Sequence, residues 1–98
     1  MIVEIECIAN PPGVEGQPYK HIEAAIQLIE ESGLKYEVEP LGTTIEGDPD
    51  ELWPLMQRVH EACLESGANS LVSVIKVQQT RAERPQPTID SLTGKFRS

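Results

Sequence analysis

Apolar and polar residues alternate from Ile2 to Ala9, with Val3, Ile5 and Cys7 on one side and Glu4 and Glu6 on the other. That period of two predicts a strand with one buried face. Asn10-Pro11-Pro12-Gly13 interrupts the pattern, and a loop runs to Pro18. The period then lengthens. Ile22, Ala25, Ile26 and Ile29 recur at helical spacing, and Ser32-Gly33 supplies a stop. Alternation resumes with Leu34, Tyr36 and Val38 against Lys35, Glu37 and Glu39. Pro40-Leu41-Gly42 turns the chain into a short third strand, Thr43 to Glu46. Asp48 stands where a second helix needs a cap, with Pro49 at the first helical position and Glu51 three residues after the cap. Leu52, Met56, Val59 and Cys63 form the apolar stripe of that helix, Glu65-Ser66-Gly67 ends it, and Leu71 to Val77 is a fourth strand. A faint repeat accompanies this order: EESG at 30–33 and LESG at 64–67 each close a helix ahead of a strand.

The order β-α-β-β-α-β predicts an α+β, ferredoxin-like sandwich, a four-stranded antiparallel sheet with two helices on one face. Residues 1–80 form that domain. Residues 81–98, with Pro85 and Pro87 among polar neighbours, read as an irregular C-terminal tail available to pack on a neighbouring subunit. The face without helices carries Glu4, Glu6, Glu37, Glu39, Thr44 and Glu46 on the first three strands and Val72, Val74 and Lys76 on the fourth. Leu71, Ile75 and Val77 look inward, so the fourth strand is apolar on both sides. Such a strand calls for a cover, and a second copy of the sheet in a two-fold dimer is the simplest one.

At 98 residues the chain is one small domain, and 39% hydrophobic with 24% charged residues suits a globular protein. A formal charge of −8 argues against nucleic-acid and anionic-membrane partners and is compatible with a cationic ligand. No signal-peptide pattern opens the chain and no apolar run is long enough to span a bilayer, so a cytoplasmic protein is expected. Cys7 and Cys63 each fall in an apolar pattern and read as buried free thiols, with a disulfide or metal pair as the lesser alternative.

The stretch LGTTIEGD at 41–48 has the glycines of a phosphate cradle but no lysine, and Glu46 and Asp48 would repel an anion. Two readings remain for it: a hairpin strand leading into a capped helix, or a site where Thr43, Thr44 and Glu46 hold a polar or cationic small molecule. The early loop contains no arginine, which an acylphosphatase of this fold would need. His21 and His60 lie among charged neighbours on helices and read as solvated residues rather than general bases. There is no Ser-His-Asp order and no Cys-x-x-Cys, so no catalytic or metal residue is assigned. RNA stacking would need aromatics on the sheet, and only Tyr36 lies on a strand. Tyr36 faces the core by alternation. Trp53, and Tyr19 at the entry to the first helix, read either as packing anchors or as stacking surfaces for a planar ligand.

The blocks ESGLKYEVEPLGTTIEGD at 31–48, HEACLESGA at 60–68 and VSVIKV at 72–77, with fainter echoes in PPGVEGQPY and the final GKFRS, resemble the small thiamine-binding proteins of the YkoF type. The resemblance spans nearly the whole chain. It implies a ferredoxin-like, non-enzymatic protein that forms dimers pairing into tetramers and binds thiamine or its hydroxymethylpyrimidine part as a ligand, with no cofactor. Thiamine carries a permanent positive charge and an amine donor, so its site needs an acidic acceptor, hydroxyls and an aromatic wall. On that resemblance Glu46 is the acceptor, Thr43 and Thr44 the hydroxyl partners, and Tyr36 and Trp53 the wall.

Overall fold

The computed structural model describes residues 1–97. Its elements run β1 (Ile2–Asn10), α1 (Lys20–Glu31), β2 (Lys35–Glu39), β3 (Gly42–Glu46), α2 (Pro49–Glu65), β4 (Ser70–Gln78) and a short α3 (Ile89–Thr93), followed by a 3-10 turn at Gly94–Phe96. The four strands form one antiparallel sheet in the order β2-β3-β1-β4. This is the expected ferredoxin-like topology.

Alternation and register decide what each face carries. Val3 lies opposite Ile45 and Val77, and Ile5 opposite Thr43 and Ile75, so these residues share the side that meets the helices. There Val3, Ile5 and Ile45 pack with Ala25 and Ile29 of α1 and with Leu52, Leu55, Met56, Val59 and Cys63 of α2. Fully burying side chains of this size contributes roughly 1.5–3 kcal/mol each. The stripe of α2 is thus as expected, with Leu55 added. Trp53 follows Leu52 by one residue, about 100° around the helix, and projects outward.

Several local expectations change. Asp48 is the N-cap of α2, but its side chain makes no capping bond; its carbonyl accepts from the Glu51 and Leu52 amides instead. His21 is buried rather than solvated: its amide donates to the Pro12 carbonyl, and Nδ1 lies 2.9 Å from Ser66 Oγ. His60 is half-buried, with Nδ1 2.6 Å from Ser73 Oγ. Each imidazole has a partner distant in sequence that its charged neighbours do not reveal.

The segment after β4 is not irregular throughout. Thr88 and Ser91 exchange side-chain and backbone bonds in a capping box that starts α3. This short helix lies against the chain's own sheet, on the face opposite α1 and α2. Glu46 Oε1 accepts from the Ile89 amide at 2.7 Å, Lys35 pairs with Asp90 at 2.8 Å, and Arg97 pairs with Glu37. The Lys35–Asp90 hydrogen bond holds the lysine above its ordinary pKa and the aspartate below its own. The C-terminal segment therefore covers β2 and β3 and leaves β1 and β4 open, with Ile8 and Val72 more than half exposed.

Candidate functional site

β1 outruns its neighbour. It pairs with β4 over its whole length, from Ile2 with Gln78 to Asn10 with Ser70, but with β3 only from Ile2 to Ile5. Between Glu6 and Ala9 its β3-facing edge has no strand beside it, because the β2–β3 hairpin has already turned back through Pro40 and Leu41. Helix α1 crosses this gap. The result is a cavity of about 400 Å³ between helix and sheet, within the roughly 300–1,000 Å³ common for small-molecule sites.

Ile5, Cys7, Val38 and Thr43 come to the cavity from the helix-facing side of the sheet, and Ile22, Ala25, Ile26 and Ile29 from the apolar face of α1. Tyr19, Pro40 and Leu41 border it, and Tyr19 is 62% exposed. Glu6 and Glu39 also border it, whereas no Lys, Arg or His does. Glu39 accepts a 3.0 Å hydrogen bond from Thr44 Oγ1 on the other sheet face, so its charge acts on the cavity through space. An apolar slot in a negative field suits a flat, positively charged molecule.

Thr43 is the distinctive polar group. It is only 5% exposed, yet its hydroxyl has no hydrogen-bond partner among the described residues. No fully sealed polar side-chain atom among these residues lacks a partner, so this hydroxyl opens on the cavity. A hydroxyl on a buried residue that opens on a cavity without a protein partner is a ready contact for a ligand.

The other residues expected at the site lie outside the cavity lining. Tyr36 is half-buried and packs on the core. Thr44 and Glu46 are on the opposite sheet face, engaged with Glu39 and with the Ile89 amide. Trp53 is exposed on α2. Conversely, Cys7, Val38 and Leu41 line the cavity without having been expected there, and Tyr19, read from sequence as an anchor or a stacking surface, lies at its border. Leu41, an apolar residue in a hairpin turn, was the available signal.

Cys7 is half-buried in the cavity wall and Cys63 is fully buried behind it; both are free thiols. Interaction with the neighbouring Cys63 thiol lowers the Cys7 pKa to about 7 against the opposing effect of burial. Ser73 Oγ, 3.9 Å from Cys7 Sγ, adds to the lowering, and Glu6 opposes it. The same contact with Cys7, together with burial, pushes the Cys63 pKa up.

Comparison with known proteins gives a consistent picture. The model of the thiamine-binding protein family matches residues 3–95. A UPF0045 protein of Clostridium perfringens is 34% identical over 87 residues, which is 88% of each chain. A UPF0045 protein of Synechocystis is 34% identical over 86 residues, 88% of this chain and 70% of that one. Among solved structures, a Bacillus cereus domain of the DUF77 type superposes with a TM-score of 0.86 at 27% identity, covering 98% of this chain and 88% of that one. A Thermotoga maritima protein provisionally assigned to thiamine biosynthesis or salvage gives 0.75 at 27% identity, covering 99% and 100%.

Proposed function

The chain belongs to the thiamine-binding protein family, and we propose that its cavity binds thiamine or a related hydroxymethylpyrimidine without chemical transformation. The observation that carries this reading is the hydroxyl of buried Thr43, open to the cavity and without a protein partner, in an apolar cavity bordered by carboxylate residues and by no cation. The unpaired edge of β1 adds main-chain groups that an aminopyrimidine can meet, and Tyr19 and Leu41 offer a stacking border. Thr44 and Glu46 would act only in a second contact region on the opposite sheet face, with Glu46 as its acidic acceptor, and Tyr36 on the core and Trp53 on the outside of α2 belong to neither region.

Titration calorimetry with thiamine tests this. Heat of binding is expected for the wild type, and Thr43→Val should weaken binding about threefold to tenfold, the worth of one net hydrogen bond. An unchanged Kd would remove the hydroxyl from the site. Glu39→Gln and Glu46→Gln separate the two regions: the cavity reading expects a modest loss from the former and none from the latter. No heat with the wild type would favour a purely structural or regulatory homo-oligomer, the rival reading.

Self-association is part of the proposal. Ile8, Val72 and Val74 form an exposed apolar strip on the open half of the sheet, which a second copy would cover in a dimer or, by further pairing, a tetramer. The setting proposed is cytoplasmic, and no helix among the described residues is long and apolar enough to cross a membrane.

A further inference from the structure

We propose that Cys7 is a modification site: a hydroperoxide-reactive thiol in the cavity wall that Cys63 resolves into a reversible intramolecular disulfide. The inference does not depend on which molecule the cavity takes.

Three features converge on one sulfur. Cys7 reaches solvent through the cavity, whereas Cys63 is sealed in the core directly behind it. Cys7 packs against the core cluster that contains Cys63, and the interaction of the two thiols lowers the Cys7 pKa. From the side, Ser73 donates its hydroxyl proton to the same sulfur, and His60 Nδ1 stands 2.6 Å from the Ser73 oxygen. With the Ser73 proton directed at the sulfur, Ser73 accepts from the Nδ1–H tautomer of His60, and in that arrangement the row His60–Ser73–Cys7 supports the thiolate. No other element of the fold calls for a polar row reaching into the cavity wall.

The chemistry balances in two steps. The Cys7 thiolate attacks the hydroperoxide, one oxygen is transferred, the O–O bond breaks, and water or an alcohol leaves, giving a sulfenic acid. The Cys63 sulfur then attacks the Cys7 sulfur, an S–S bond forms, and the hydroxyl departs with the Cys63 proton as water. Once Cys7 is uncharged, the interaction that held the Cys63 proton is gone, which frees the second thiol to react.

Intact-mass measurement of the full chain with hydrogen peroxide tests this. The wild type should lose about 2 Da, recover it with dithiothreitol, and yield linked tryptic peptides 1–20 and 59–76. Cys63→Ala should instead accumulate a dimedone-reactive sulfenic acid on Cys7, and Cys7→Ser should not be oxidised under the same exposure. If both thiols of the wild type stay alkylatable after peroxide, the proposal fails. It also fails if the wild type keeps a sulfenic acid, if disulfides form only between chains, or if Cys63 is oxidised as fast in Cys7→Ser as in the wild type. The wild-type readouts decide the matter even where a variant does not fold.

Discussion

Gly67 adopts φ +130°, and a Cβ there would stand 2.9 Å from the His21 ring. Gly67→Ala therefore meets backbone strain and a buried side chain at once, and should cost about 1–3 kcal/mol in urea unfolding. The buried His21–Ser66 pair explains why a glycine closes α2, and it lay outside what local pattern could reveal: the two residues are 45 positions apart. Lys20 and Glu23 beside His21 suggest a wet surface, but only the approach of the Pro12 carbonyl and Ser66 makes it dry. Cys7 is a similar case. Its alternation showed an inward-facing thiol, while its altered acidity arises from Cys63 and Ser73 on other elements. Because the shift is downward, thiolate appears as pH rises through about 7. Iodoacetamide labelling of Cys7 should show a midpoint there instead of near the usual ~8.5. The groups facing this sulfur are Cys63, Ser73 and Glu6, with His60 behind Ser73. Ser73→Ala should move the midpoint upward.

The C-terminal segment is held to the sheet by one charge-assisted bond and two exposed ion pairs. Exposed pairs contribute little, so the Glu46–Ile89 bond and burial of Ile89 carry the attachment. Glu46→Ala should cost about 1 kcal/mol and speed hydrogen exchange at Ile89, whereas Glu46→Gln keeps an acceptor and should leave exchange nearly unchanged. The long elements were legible because their apolar spacing repeats: four contacts of α2 appear at helical intervals, and Val3, Ile5 and Cys7 at strand intervals. The five-residue α3 was not legible, since its capping box lies among prolines and polar residues and its stability comes from docking. The cavity escaped for another reason. It exists because β1 runs five residues past its pairing with β3, and register between distant strands is not written in either strand's own pattern. Thr43 was found by residue type; its four companions were grouped with it by proximity in sequence, which strands and helix faces then divided.

The whole molecule exposes 6461 Å², more than the ~5,500 Å² expected of a folded monomer of this mass. Apolar side chains along β4 contribute to it: Val72 and Val74 on one face and Ile75 and Val77 on the other are all at least 39% exposed. Sedimentation at micromolar concentration should show a dimer or tetramer, and Val74→Glu should shift it toward monomer. A monomeric wild type would remove the assembly argument. The central position of β1 has a different consequence, for how the protein comes to be folded. Both its partners lie far along the sequence: Ile2 must find Glu46 on one side and Gln78 on the other. Only the β2–β3 hairpin closes locally. Folding rate falls as contacts become more distant in sequence, so this chain should fold more slowly than a helical bundle of equal length. On the ribosome β1 precedes every element it packs against, so its Val3-Ile5-Cys7 stripe stays unsheltered until α1 and α2 have followed it.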